Sequence, residues 1–188
     1  MKKKKIKLRN LVKSMTRYIC WVLYYTVGKH LPQRSMRGTK IRWLLCKILF
    51  YSLGKGAEIR AGVNFGFLSH IEVGDHSELG INCQIMCKAP LLIGNNVLMG
   101  PDVIFIDQNH KFELTHIPIK SQGHLPPEPI CIEDDVWIGA RVIILPGVNI
   151  RRGVVIAAGS IVTNDVDEYW VVGGNPARKI RKRGKTKN

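Results

Sequence analysis

Acid is what this 188-residue sequence has least of where it matters: the first sixty residues hold sixteen Lys and Arg and a single carboxylate, Glu58. The net charge of +15 therefore sits in that segment, because residues 61–188 contain thirteen residues of each sign. Within that neutral stretch, a tail from Arg178 to Asn188 carries seven positive charges and leaves a mildly acidic body behind it. Metal-ligand and disulfide spacing are missing too. The five cysteines, Cys20, Cys46, Cys83, Cys87 and Cys131, are odd in number and form no C-x-x-C pair. That excludes a zinc knuckle or a disulfide framework and implies reduced thiols in a cytosol. Long apolar runs are absent as well. Tyr18–Val27 spans ten residues, against the roughly 20 that cross a bilayer. With Arg17 beside it and no A-x-A-like site after it, this stretch is not expected to be a secretory signal either.

What the sequence does have is periodicity. Leu8, Leu11, Val12, Met15, Ile19, Val22 and Leu23 recur at three- and four-residue steps. The spacing predicts a helix with these residues on one face and Lys7, Arg9, Lys13 and Arg17 on the other. Pro32 and Gly38 break it, and Ile41, Leu44, Leu45, Ile48 and Leu49 predict a second amphipathic helix.

Farther on the period changes. Ile132, Ile138, Ile144, Ile150, Ile156 and Val162 stand six residues apart without a slip, and Val136, Val142, Val148, Val154 and Ser160 each precede one of them by two positions. In extended chain, positions two apart point to the same side. Each hexad thus sends a large and a small side chain inward and then turns, with Gly139, Gly147, Gly153 and Gly159 expected to supply the turning freedom. A strand that turns every six residues winds into a coil of stacked rungs, a hexapeptide-repeat β-helix. Val73, Leu79, Ile85 and Leu91 obey the same rule, followed after a two-residue slip by Ile93, Met99 and Phe105; a looser first turn is expected through Ala61 and Phe67. Residues 106–131 abandon the period, and so long an excursion from a solenoid is a place for function. It holds His110, His116 and His124, three of the six histidines. The chain divides into basic amphipathic helices (1–56), a β-helix (57–177) carrying the excursion 106–131, and a basic tail (178–188).

Four stretches carry a resemblance to a known family: "IDQNHKF" with His110, "VWIGARVIILPGV" from Val136, "IAAGSIVTNDV" from Ile156 and "VVGGNPARKIRKR" from Val171. They resemble the hexapeptide-repeat acetyltransferases, most nearly the galactoside, maltose and capsular or exopolysaccharide O-acetyltransferases, over residues 61–183. The resemblance implies a mainly β fold, a left-handed parallel β-helix. It implies a homotrimer with acetyl-CoA lying between neighbouring coils, and acetyl transfer to a hydroxyl of a sugar or lipid-linked polysaccharide precursor. Residue by residue, it implies His110 as general base, Asn82 in contact with the acceptor and Trp137 beside the active site. It puts the backbone N–H of Ala140 on the thioester carbonyl, and Ala158, Thr163, Arg178 and Arg181 along the cofactor. No metal is implied. Asn164 departs from the pattern, since several relatives have Lys there, and Lys179 is the candidate to replace that phosphate contact.

The chemistry asks for little more. An alcohol is a poor nucleophile until its proton is leaving, and an imidazole titrating near neutral pH removes it for roughly 10²–10⁴-fold in rate. A fixed N–H steadies the developing oxyanion, and proximity supplies the remainder. Transfer is direct, so no Ser or Cys nucleophile is required. Asp107, Glu113 and Glu128 are the candidates to orient the base, whereas His116 and His124 read as plain loop residues. Other uses of such a coil stay open: acetylation of an antibiotic or an amino-sugar nucleotide, a coil without turnover, or zinc chemistry of the carbonic anhydrase type, which needs three converging histidines. For the basic N-terminus two roles are compatible. One is a cap over the open end of the coil core, which every solenoid needs. The other is peripheral attachment of residues 1–50 to the anionic inner face of the membrane, with apolar faces on the coil and lysines towards lipid. Its aromatics fall on the apolar stripe rather than between the charges, which argues against nucleic acid. The expectation is a cytoplasmic protein, peripheral to that membrane face.

Overall fold

A chain that turns a corner after every hexad has no room for long strands, and those of the coil are two to five residues long. The computed structural model describes residues 2–33, 35–67 and 69–184, with backbone alone for 2–10. Three parallel faces make a prism. The first stacks Ser52–Leu53, Ile71–Val73, Leu91–Ile93, Ile130–Ile132 and Asn149–Ile150. The second carries Glu58–Ile59, Glu78–Leu79, Leu98–Met99, Trp137–Ile138, Val155–Ile156 and Trp170–Gly173. The third is built from Asn64–Phe65, Gln84–Met86, Ile104–Ile106, Ile143–Ile144 and Ile161–Val162. Registers align like on like: Ile93, Ile132 and Ile150 stack on one face, Met99, Ile138 and Ile156 on the next, Phe105, Ile144 and Val162 on the last. These side chains and the smaller Val136, Val142, Val148, Val154 and Ser160 fill the axis and are buried. Ser160, the one polar member of the small set, donates to Ala157 O (2.6 Å) and accepts from Gly174 N (3.2 Å), so its hydroxyl is satisfied.

The early turns are longer than six-residue counting allows. Ile71 pairs with Leu91, twenty residues on, whereas Ile132 pairs with Ile150, eighteen on. The extra pair of residues sits on the first face, where Ile71 and Val73, and again Leu91 and Ile93, both point inward. The same slip precedes Val73, so the first turn turns Leu53, Ile59 and Phe65 inward rather than the expected Ala61 and Phe67. Phe67 lies outside the coil, its ring 5.6 Å from that of Tyr18 and 5.7 Å from that of Trp21. The first strand, Ser52–Leu53, falls inside the segment expected to be helical, and Arg178–Lys182, expected as tail, is a strand antiparallel to Trp170–Gly173.

The corners need one left-handed residue each. Gly147, Gly153 and Gly159 take that conformation (φ 74°, 70° and 73°), but in the fourth turn the residue is Arg141 (φ 57°) and not Gly139. Gly139 answers a different need: a Cβ there would stand 2.6 Å from the backbone nitrogen of Ala158 on the next turn.

Helices α1 (Lys2–Thr26) and α2 (Met36–Leu49) close the N-terminal end, as the capping role anticipates. They do so with the opposite faces. The side of α1 against the coil is Arg17, Cys20, Trp21, Tyr24, Tyr25 and the following Gly28, and α2 offers Arg42, Cys46 and Leu49. The aliphatic stripe expected there, Leu11, Val12, Met15, Ile19, Val22 and Leu23, is turned away and 36–57% exposed. Ile41, Leu44 and Ile48 of α2 are likewise exposed. The reason lies in the end of the coil, whose last carbonyls have no further rung to bond. Tyr24 Oη donates to Val63 O (2.8 Å) and the buried Arg42 to Ile59 O (2.8 Å), while a second Arg42 N–H ties down Leu31 O (2.9 Å) between the helices. Leu or Ile has no donor to offer those oxygens.

Candidate active site

Each corner of the coil leaves one backbone N–H directed along the axis. On the edge between the first and second faces three of these groups are taken by side chains of the next turn, whereas that of Asp134 meets no acceptor among the described residues. Lys55 N–H donates to Asp75 Oδ1 (2.6 Å), Asp75 N–H to Asn95 Oδ1 (2.7 Å) and Asn95 N–H to Asp134 Oδ1 (2.6 Å). The edge between the second and third faces is built differently. At the matching corners stand Pro101, which has no N–H, then Ala140 and Ala158, whose methyl groups accept nothing. Among the described residues no acceptor meets the N–H of Ala140 or of Ala158. This edge is therefore a strip of open backbone donors. Asn82 lies on it two turns below Ala140, in the left-handed conformation (φ 57°), with Nδ2 donating to Asp102 Oδ1 (3.2 Å). Trp137 stands on the adjoining second face, paired with Leu98 and Val155 and about half exposed. Four of the expected site residues, Asn82, Trp137, Ala140 and Ala158, thus share one side of the prism.

His110 does not. The excursion leaves from the edge between the third and first faces and is a paired arm rather than an irregular loop. Lys111 N–H donates to Gly123 O (3.0 Å), Leu125 N–H to Asn109 O (2.9 Å) and Glu128 N–H to Asp107 O (2.8 Å). At its root Asp107 is buried, and its Oδ2 accepts from the N–H of Lys88 and of Ala89, each at 2.6 Å. That carboxylate anchors the arm through Oδ2 and makes no hydrogen bond with His110. Glu128 lies over Gly147, and Glu113 is exposed. The neighbour His110 does have is His124: the two form a bridge across the arm, with ring centroids 4.2 Å apart and planes at 37°. His124, expected to be a plain loop residue, is thus the neighbour of His110, whereas His116 stays exposed on the outer part of the arm. No sequence period signals the pair, because it is made across a hairpin.

The remaining candidates gather at the C-terminal end. A groove of about 400 Å³ is lined by Thr163, Asn164, Asp165, Ala177, Arg178 and Lys179. Thr163 Oγ1 donates to Asn164 Oδ1 (2.8 Å). Lys179, the proposed substitute for a missing lysine, is already engaged: its Nζ lies 2.6 Å from Asp167 Oδ2 and 4.8 Å above the Trp170 ring. That hydrogen bond and the adjacent charge hold the Asp167 carboxyl below its usual range. Arg178 and Arg181 are exposed on the final strand. Burial pushes the Cys83 thiol well up and that of Cys87 up to about 12, with Asp107 adding to the latter. Among the described residues no three His, Cys, Asp or Glu side chains are grouped closely enough to hold a metal ion.

Residues 129–164 match the family model described as hexapeptide repeat of succinyl-transferase. The galactoside O-acetyltransferase of Escherichia coli (strain K12) is 32% identical over 173 residues, 85% of this chain and 84% of that protein. A chloramphenicol acetyltransferase of Agrobacterium fabrum (strain C58) is 38% identical over a shorter span, 60% of this chain and 54% of the relative. Among solved structures, a hexapeptide-repeat acetyltransferase of Vibrio cholerae O1 biovar eltor complexed with acetyl coenzyme A superposes with a TM-score of 0.77 at 32% identity, covering 90% of this chain and 87% of the other.

Proposed function

This chain belongs to the hexapeptide-repeat acetyltransferases, and from that premise we propose that it transfers the acetyl group of acetyl-CoA to a hydroxyl of a sugar or polysaccharide precursor. His110 is the general base. As the hydroxyl oxygen attacks the thioester carbonyl carbon, an imidazole nitrogen takes its proton. The carbonyl oxygen, now carrying the negative charge, accepts from the N–H of Ala140. Collapse of the tetrahedral intermediate breaks the carbon–sulfur bond, and the CoA thiolate leaves with the proton held by the imidazolium. Ala158 extends the donor strip along the cofactor, Thr163, Arg178 and Arg181 line its phosphate-bearing end, and Asn82 and Trp137 face the acceptor.

The observation that carries this reading is the strip of open donors at Ala140 and Ala158, on a coil whose neighbouring edge has every equivalent group from Lys55 to Asn95 satisfied. A second observation concerns assembly. Asp107 roots the arm on a different edge, and His110 stands three residues out from it, about 10 Å of extended chain. The base of one copy therefore serves the donor strip of a neighbour, across a contact of arm to edge that repeats around a closed ring, the homotrimer that the resemblance implies. The five free cysteines fit work in the reducing cytoplasm.

The sugar reading follows the longer match, to a galactoside O-acetyltransferase, and the antibiotic reading follows the shorter one, to a chloramphenicol acetyltransferase. Thiol release from acetyl-CoA, screened against galactosides, lipid-linked glycans and chloramphenicol, separates them. With the accepted substrate, His110→Ala is expected to lower kcat by about 10²–10⁴-fold while KM for acetyl-CoA stays within about twofold. Undiminished turnover in that variant would overturn the mechanism.

A further inference from the structure

The coil uses one side of each N-terminal helix, and the other side is unlike an ordinary protein surface. On α1 it presents Leu11, Val12, Met15, Ile19, Val22 and Leu23, and on α2 Ile41, Leu44 and Ile48, each more than a third exposed. The two helices pack on each other, and on α1 the stripe runs unbroken at three- and four-residue steps from Leu11 to Leu23, through turns before Arg17 that are exposed on every side. Single exposed apolar residues need no explanation, but a contiguous patch marks a surface that meets something apolar.

The charge around the patch says what that is. The backbone of α1 begins at Lys2, and Lys2, Lys3, Lys4, Lys5, Lys7 and Arg9 occupy its first turns, with Lys13 following. On α2, Arg37, Lys40 and Lys47 are exposed beside the apolar side chains. Residues 1–57 contain no carboxylate at all. From this juxtaposition of exposed aliphatic face and unopposed cations, we propose that the outward side of α1 and α2 docks on an anionic lipid bilayer, with the coil standing on its N-terminal end. Among the described residues no helix is long and apolar enough to cross a membrane. The helices instead lie in the plane of the interface, with aliphatic side chains below the headgroups and lysines among the phosphates. A second copy of the chain is the poorer occupant. Symmetry would bring two sets of like charges together with no acid to offset them.

The orientation is the reverse of aliphatic face on coil and lysines alone towards lipid, and it follows from the hydrogen bonds of Tyr24 and Arg42, which commit the other side of each helix to the coil. The inference stands independently of acetyl transfer and of the acceptor.

Flotation of the full chain with vesicles tests it, comparing phosphatidylcholine with and without about a third phosphatidylglycerol, at low salt and at about 0.5 M salt, where charge attraction is largely screened. The expected result is recovery with the anionic vesicles at low salt and little with the neutral ones. The double variant Met15→Asp, Ile19→Asp should reduce recovery at least about tenfold, with the thermal unfolding midpoint of the coil unchanged. Replacing Lys2 to Lys5 with Gln should weaken binding without touching the apolar face. Equal recovery of wild type and double variant, or no preference for anionic lipid, overturns the proposal. So does a double variant whose assembly becomes smaller in solution, because the patch would then belong to a partner copy.

Discussion

At the scale of single residues, the proposed mechanism turns on the contact between His110 and His124. As the proposed general base, His110 stands on an arm away from its own coil with few neighbours to fix its ring, and among the described residues no side chain hydrogen-bonds it. His124, with its ring centroid 4.2 Å away, is the surface against which that ring rests. An aromatic pair of this kind is worth about 0.5–1.5 kcal/mol, which corresponds to a factor of about two to twelve in the population of a held orientation. His124→Ala should lower kcat by that factor with KM for both substrates little changed. His124→Phe, which restores an aromatic face without a titrating nitrogen, should recover most of it. A Phe variant as slow as the Ala variant would show that packing is not the role of His124. His110 is legible in the sequence because "DQNH" lies directly after the last regular rung of the first block. His124 is not, because its partnership arises only once the arm has paired across fourteen residues.

At the scale of elements, the coil is close packing between backbones as much as between side chains, and two glycines separate the effects. Gly139 has ordinary φ but no space, with Ala158 N 2.6 Å from where a Cβ would sit; Gly159 has φ +73° and nothing within 4 Å. Gly139→Ala must push two turns apart and should lower stability by about 1–3 kcal/mol. Gly159→Asn should be nearly neutral, since Asn tolerates the left-handed region and Asn82 and Asn96 already stand at such corners. Thermal or denaturant unfolding of the two variants checks the contrast.

The core from Ile132 to Val162 could be read from sequence residue by residue, because the fourth turn is three clean hexads and the fifth begins with two more before it returns to the first face after sixteen residues, at Val166. The first turn could not. Its two-residue slip is a property of how Ile71 and Val73 both find room inside, and counting back by sixes steps over it. The helices misled for another reason. Periodicity identified an apolar stripe correctly, but which stripe a coil end accepts depends on its unpaired carbonyls, and these select Tyr24 and Arg42 over leucines. The open N–H of Ala140 was legible only by resemblance and that of Ala158 not at all, since one alanine looks like another until the Asp and Asn ladder on the adjacent edge gives the comparison.

At the scale of the whole molecule, His110 and the donor strip sit on different edges, so the proposed function makes catalysis a property of a seam. Two inactive variants then complement one another. His110→Ala spoils the arm and leaves the edge, whereas Ala158→Trp fills the edge and leaves the arm. Mixed and reassembled in equal amounts, they should restore about a quarter of the seams, those that receive an intact arm from one copy and an intact edge from the next. Activity near a quarter of wild type, against almost none for either parent, is the expected outcome. A mixture as inactive as its parents would place the whole site within a single chain.

The way the coil ends has its own consequence. A stack of parallel rungs exposes, top and bottom, unpaired backbone that another stack could extend, and an unprotected strand edge is a template for fibre growth. Here the bottom rung is stoppered by two helices, and the top is met by a strand running the wrong way, whose five residues, Arg178–Lys182, are four cations and one Ile. Polymerisation along the axis is closed off at both poles, and only the flanks remain for copies to meet.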